Sequence, residues 1–99
     1  MTTEKLPELD PVIHSRIRLA ILSILSTTKE AHFSFLKESI GTTDGNLSTH
    51  LTKLESAGYI QIKKMFVKKK PKTLVSMTEK GKKAFANYLD ALEKIIHPT

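Results

Sequence analysis

The chain has 99 residues, 39% hydrophobic and 26% charged, with no Cys, no Trp and a formal net charge of +6. That length supports one domain burying roughly 60–65% of its unfolded surface, and the composition is that of an ordinary globular protein. Disulfides, thiolate metal sites and a catalytic thiol are excluded, no apolar run approaches the roughly 20 residues of a membrane span, and Met1–Asp10 lacks the apolar core of a signal peptide, so a cytoplasmic location is expected.

Asp10-Pro11 is a helix start, with a capping carboxylate before Pro at the first helical position. The first helix is predicted over 10–27, with Ile13, Ile17, Ala20, Ile21, Ile24 and Leu25 on its main apolar face. Val12, Leu19 and Leu22 form a second, smaller apolar strip that a partner chain would cover. Arg16 and Arg18 near its start are candidates for phosphate contact or internal ion pairing, the ion pair being favoured for Arg18. Thr28-Lys29-Glu30 reads as a turn and Ala31-His32-Phe33 as a short extended stretch. Ser34 is the expected cap of a brief helix over 34–40, ended by Gly41. Thr42 and Thr43 open the next helix, over 43–57, which stops at Gly58 and buries Leu47, Leu51 and Leu54.

From Tyr59 the period changes to a rough alternation, and a hairpin is predicted over 59–77. Its strands are Tyr59–Phe66 and Thr73–Met77, with Val67–Lys72 between them as a turn or mobile loop. Thr78 caps a last helix over 79–96, whose Phe85, Tyr88, Leu89, Leu92, Ile95 and Ile96 repeat near a heptad. His97-Pro98-Thr99 is a tail. The length of this helix beyond what the hairpin can cover suggests a homodimer seam. Its members would be Val12, Leu19 and Leu22 with Phe85, Tyr88, Leu89, Leu92, Ile95 and Ile96.

The charge is concentrated in the middle of the chain. Residues 1–40 and 84–99 are close to balanced, whereas residues 41–83 carry ten Lys against Asp44, Glu55 and Glu79. A basic stripe on a balanced domain is the footprint of a polyanion binder. Phe33–Gly58 has the order short helix, tight turn, longer helix, which matches a helix-turn-helix whose second helix enters the DNA major groove. With the three leucines inward, Gly45, Asn46, Ser48, Thr49, Thr52 and Lys53 face out. Asn can pair with adenine, Ser and Thr can contact bases or phosphates, and Lys can reach guanine or phosphate. Gly45 would permit close approach to the duplex. Six lysines between Lys63 and Lys72, with no acid among them, form a hairpin arm suited to the sugar-phosphate backbone or minor groove. Fold class is therefore α+β, mostly α, and the expected partner is double-stranded DNA.

Ser48-Thr49-His50-Leu51, with Leu54 and Ala57-Gly58 after it, resembles the recognition helix of MarR and ArsR winged helix-turn-helix regulators. Arg18-Leu19-Ala20-Ile21-Leu22 is similar to the first helix of that group, and Leu74-Val75-Ser76-Met77-Thr78-Glu79-Lys80-Gly81 to its strand-to-helix junction. The resemblance spans roughly 10–96. It implies a homodimeric transcription regulator on a pseudo-palindromic site. By position, Thr43, Asn46, Ser48, Thr49 and Lys53 would meet DNA from the helix, and Lys68, Lys69, Lys70 and Lys72 from the wing; Ser34, Thr42, Gly45 and Thr52 complete the expected DNA-binding set. Thr49 stands where such helices often carry Arg, so the guanine contact of that Arg is missing. The Cys pairs of ArsR-type metal sensors are absent.

His14, His32, His50 and His97 are dispersed without a ligand motif, so no metal and no cofactor is expected. No nucleophile triad, carboxylate pair or phosphate loop points to an enzyme, and no polar cluster marks a small-molecule effector site. A non-specific nucleic-acid or chromosome-architecture protein, and a winged-helix protein-interaction module, remain alternatives to a sequence-specific regulator.

Overall fold

The computed structural model describes residues 5–98, so Met1–Glu4 of the polar N-terminal stretch and Thr99 of the tail lie outside it. The element order is α1 (Arg16–Leu25), β1 (Ala31–His32), α2 (Phe33–Ile40), α3 (Asp44–Ser56), β2 (Ile60–Val67), β3 (Lys70–Met77) and α4 (Glu79–Ile96). The three strands form one antiparallel sheet in the order β1-β3-β2. This is the winged helix fold, mostly helical.

The helix predicted from Asp10 is divided in two. Asp10 does cap a turn: its Oδ1 accepts from Val12 N at 2.9 Å and its carbonyl from His14 N at 2.8 Å. That turn ends at Ser15, whose backbone is extended (φ −154°, ψ 134°) and whose hydroxyl accepts from Arg18 N to start α1 afresh. A serine that bonds nearby backbone favours a cap over a helix interior, which is why the helix restarts five residues later than Asp10-Pro11 suggests.

Ser34 is likewise not the cap of α2. His32 holds that position without a side-chain cap bond, because Ala31 and His32 pair with Val75 and Leu74 of β3 and the chain turns straight into the helix. Gly41, with φ 76°, ends α2 as expected. Thr43 caps α3 through its hydroxyl, which accepts from Asn46 N.

The largest departure is the wing. The predicted loop of Val67–Lys72 shrinks to two residues, Lys68 and Lys69, and β3 begins at Lys70. Both have left-handed φ, 53° and 64°, as a two-residue hairpin turn requires. Val67 pairs with Lys70 and Phe66 with Pro71. In such a hairpin the Phe66–Pro71 pair is not hydrogen-bonded, so the missing N–H of Pro71 faces away from β2. β1 reaches only as far as Leu74 and Val75, leaving that side of β3 open at Pro71.

One core joins all elements. Ile13, Ile17, Ile21, Leu22 and Leu25 meet Leu36 of α2, Leu47, Leu51 and Leu54 of α3, Ile60 and Val75 of the sheet, and Phe85 and Tyr88 of α4. Three residues expected at a dimer seam therefore belong to the chain's own interior. Leu22 has no exposed surface, Tyr88 is 3% exposed and Phe85 9%. A helical wheel puts Leu22 outside because it gives α1 one core face; α2, α3 and β3 pack around the helix from several directions. Val12, Leu19 and Leu92 are half-buried against the same core, and Ile95 is half-buried, whereas Leu89 and Ile96 are open to solvent.

The start of α4 is pressed onto the chain just before β2. Thr78 N donates to Tyr59 O at 3.0 Å, and the Thr78 hydroxyl donates to Gly58 O at 2.6 Å while accepting from Gly81 N. Tyr59 closes the other side, its hydroxyl donating to Asp10 Oδ2 at 2.5 Å. That bond and partial burial push the phenol up to about 12. His14 Nδ1 and the Tyr88 hydroxyl, 3.0 Å apart, tie the N-terminal turn to α4.

Candidate nucleic-acid interface

Helix α3 has two faces. Leu47, Leu51 and Leu54 are at most 2% exposed. Gly45, Asn46, Ser48, Thr49, Thr52 and Lys53 are all exposed, together with Thr43, and Thr42 is half-exposed. The periodicity of the leucines thus decides which side chains a partner could meet. Ser34 is exposed on the second position of α2.

Part of this polar face is already engaged locally. The Asn46 amide nitrogen donates to the Thr42 hydroxyl at 2.9 Å, and the Thr49 hydroxyl donates to Gly45 O at 3.0 Å. Any ligand approaching this face would have to compete with these bonds. Asp44, in the first turn of α3, favours the positive end of the helix dipole but would repel a phosphate. Lys37 of α2 lies 2.9 Å from its Oδ1 and offsets that charge.

Behind the polar face, Arg18 braces α3 from α1. Its Nη1 donates to His50 Nδ1 at 2.9 Å, while Nε donates to Val12 O. The partners of Arg18 are therefore carbonyls and an imidazole rather than the carboxylate of the expected ion pair. A guanidinium can only donate, so Nδ1 of His50 accepts and its proton sits on Nε2. Partial burial first, then the charges of Arg18 and Lys53, hold His50 below its usual 6.5.

The wing lysines do not share one face. Alternation along β2 and β3 puts Ile60, Ile62, Lys64 and Phe66 on one side with their partners Met77, Val75, Thr73 and Pro71. This side faces the helices: Ile62, Lys64 and Thr73 share a cleft of about 410 Å³ with Asp44, Ser48 and Thr52 of α3. Lys63, Lys70 and Lys72 lie on the opposite side, and Lys68 and Lys69 occupy the turn. Sequence reasoning groups Lys68, Lys69, Lys70 and Lys72 as one contact set; the pleat divides them and adds Lys64 beside α3. Counting the strand alternation onward from Ile60 would have found Lys64.

Among the described residues no group of His, Cys, Asp or Glu could hold a metal ion, and no helix is long and apolar enough to cross a membrane.

The comparisons with known proteins agree with this geometry. An uncharacterised protein of Methanocaldococcus jannaschii is 41% identical over 78 residues, covering 79% of this chain and 85% of that one. The solved structure of a transcriptional regulator homologue from Pyrococcus horikoshii is similar with a TM-score of 0.81 and 28% identity, covering 86% of this chain and 84% of that one. A MarR-family transcriptional regulator from Silicibacter pomeroyi shares the fold at a TM-score of 0.66 and 16% identity, over 88% of this chain and 60% of that one. The family model described as "Winged helix DNA-binding domain" matches residues 17–96. With its leucine-backed polar helix, its basic two-stranded wing and this match over most of its length, the chain belongs to the winged helix DNA-binding domain family.

Proposed function

We propose that the protein is a dimeric, DNA-binding transcription regulator that lays α3 in the major groove and its wing along the backbone or into the minor groove. The observation that carries this is continuity. The exposed face of α3, from Gly45 to Lys53, runs through Ser48 and Thr52 into the cleft shared with Lys64, and from there into a wing whose six lysines have no acid among them. Lysines on both sides of the wing suit a groove lined by two phosphate strands. The Pyrococcus horikoshii structure, described as a transcriptional regulator homologue, supports the same reading.

Affinity and specificity divide between the two parts. Lys53 is the one long donor in the outward set of α3, and Asn46 and Thr49 are partly committed to local bonds. Most of the affinity then comes from the wing, and α3 contributes a few base contacts of roughly 1–3 kcal/mol each. Dimerisation uses the outer strip of α4, where Leu89 and Ile96 are 45% and 57% exposed, with Leu92 and Ile95 between them and Val12 and Leu19 as flanking surface.

Selection of bound duplex from a random pool, read by sequencing, tests the reading. The expected product is a pseudo-palindrome whose half-sites lie about 34 Å apart, one helical turn. Uniform binding without enrichment would favour the non-specific, architectural alternative. Absence of duplex binding at low salt would favour a protein-interaction module.

A further inference from the structure

Phe66 is 78% exposed, the largest exposure among the exposed large hydrophobics of the described residues, and its neighbour Val67 is 43% exposed. A lone apolar residue on a surface needs no explanation. This one is placed and surrounded. It follows Ile60, Ile62 and Lys64 on the wing face that looks toward α3, and its cross-strand partner there is Pro71. The pair lies beyond the last core contact, so no part of the described chain covers Phe66. Lys64 precedes it on the same face and Lys68 and Lys69 follow it in the turn, whereas Lys70 and Lys72 lie on the opposite face, and no acidic residue occurs between Lys63 and Lys72. The surface is therefore a flat ring and a stiff pyrrolidine, with one lysine before it on the same face and two more in the turn beyond it.

We propose that Phe66, backed by Pro71, is an apolar wedge that enters the minor groove of duplex DNA and partly unstacks one base step while α3 lies in the adjoining major groove. The inference rests on the DNA-binding reading above and adds what the wing does there. Phe and Pro are side chains that such wedges use, and insertion kinks the duplex toward the major groove. Lys64 and the turn lysines Lys68 and Lys69 bring phosphates to the wedge. The same arrangement meets the shortage of long donors on α3. Pyrimidine–purine steps such as TA and CA unstack most easily, so a wedge discriminates sequence at a step where no side chain reads a base edge.

A ring among lysines would also fit an anionic lipid surface. DNA is favoured because the Phe66 face continues through Lys64 and Thr73 into the cleft bordered by Ser48 and Thr52 of α3. That continuity sets the tip in a fixed relation to a polar helix face for which a bilayer has no use.

The chain has no Trp, so Phe66→Trp places a single indole at the tip, where an exposed site tolerates it. The variant is titrated with an end-labelled duplex of about 30 base pairs carrying TA steps, with the same duplex lacking them, and with phosphatidylserine vesicles. On the TA duplex the indole emission should shift to the blue and lose its acrylamide quenching. In parallel, Phe66→Ala should bind that duplex roughly tenfold more weakly with an unchanged salt slope, because stacking is lost and no charge is removed. Duplex binding seen by anisotropy while the indole stays fully quenchable overturns the wedge and leaves the DNA reading standing. No binding to any duplex overturns both. An indole that responds to vesicles but not to duplex assigns the tip to lipid and overturns the proposal.

Discussion

Gly81 sits where α4 meets Tyr59, and replacing it with Ala is the sharpest test of how the wing is anchored to the last helix. A Cβ at position 81 would lie 2.1 Å from Tyr59 O and 2.9 Å from Met77 Cγ. Ordinary C···O contacts begin at about 3.3 Å, so the helix start must retreat by roughly 1 Å. Retreat stretches the Thr78 N to Tyr59 O bond of 3.0 Å and the Thr78 hydroxyl bond to Gly58 O of 2.6 Å. Losing both costs about 2 kcal/mol, and the residual overpacking adds about 1–3. Ala regains about 1 kcal/mol of helix propensity. The net is a loss of about 2–4 kcal/mol, which lowers Tm by on the order of 10–20 °C in a domain of this size. Thermal unfolding followed by circular dichroism measures it. Gly45→Ala is the matched control, since a Cβ there meets nothing within 4 Å. It should hold or raise Tm while weakening duplex binding, because the new methyl stands on the face proposed to approach DNA. A Gly81→Ala protein that melts at or above the parent would refute the packing described for this junction.

Removing one wing lysine at a time, beginning with Lys68 or Lys69, should lower the slope of log affinity against log salt by about 1 per lost phosphate contact, read by anisotropy titrations at several salt concentrations. Acidification should destabilise the fold through His50. With its folded value below the ordinary 6.5, the unfolded chain takes up the proton first. The His50 contribution is therefore complete above pH 6.5 and disappears as pH falls through the folded value; His50→Asn should flatten the Tm profile in that window. Tyr59→Phe leaves Asp10 Oδ2 without its donor and should cost about 1–3 kcal/mol in urea unfolding. Paired Leu89→Lys and Ile96→Lys substitutions should shift sedimentation from dimer to monomer while the monomer keeps its helical circular dichroism, since neither side chain is in the core.

The parts of this structure legible in the sequence are those governed by short-range periodicity. Leu47, Leu51 and Leu54 at helical spacing define the buried side of α3, and with it the outward set from Gly45 to Lys53. Thr43 and Gly58 mark its limits, and Gly41 the end of α2, through cap chemistry that acts within a few residues. What is not legible depends on competition or on distance. Asp10-Pro11 and Ser15 are both sound helix starts, and only the fold decides that Ser15 begins α1. Leu22 lies off the main stripe of α1, yet α2, α3 and β3 close around it, which no single-helix wheel can represent. The hairpin turn is shorter than the sequence suggests because Lys68 and Lys69 lack the Gly or Asn that usually announces a two-residue turn. Once that turn is in place, the pleat assigns Lys64 and Phe66 to one face and Lys63, Lys70 and Lys72 to the other. The Arg18–His50 link joins residues 32 positions apart, and no local signal announces it.

On the proposed function, the lysine turn sets stability against binding. Lys68 and Lys69 both occupy a backbone region that side chains with a Cβ disfavour by about 1–2 kcal/mol each. Combining Lys68→Asn with Lys69→Gly would relax that strain and firm the hairpin, but would take two cations from the tip. A screen for thermal tolerance alone would therefore drift toward the firmer, neutral turn, while a screen for DNA retention would hold the strained one. The persistence of lysine at both positions under the second pressure, and its loss under the first, is the signature that a turn shaped for charge rather than for folding should leave in a directed-evolution experiment.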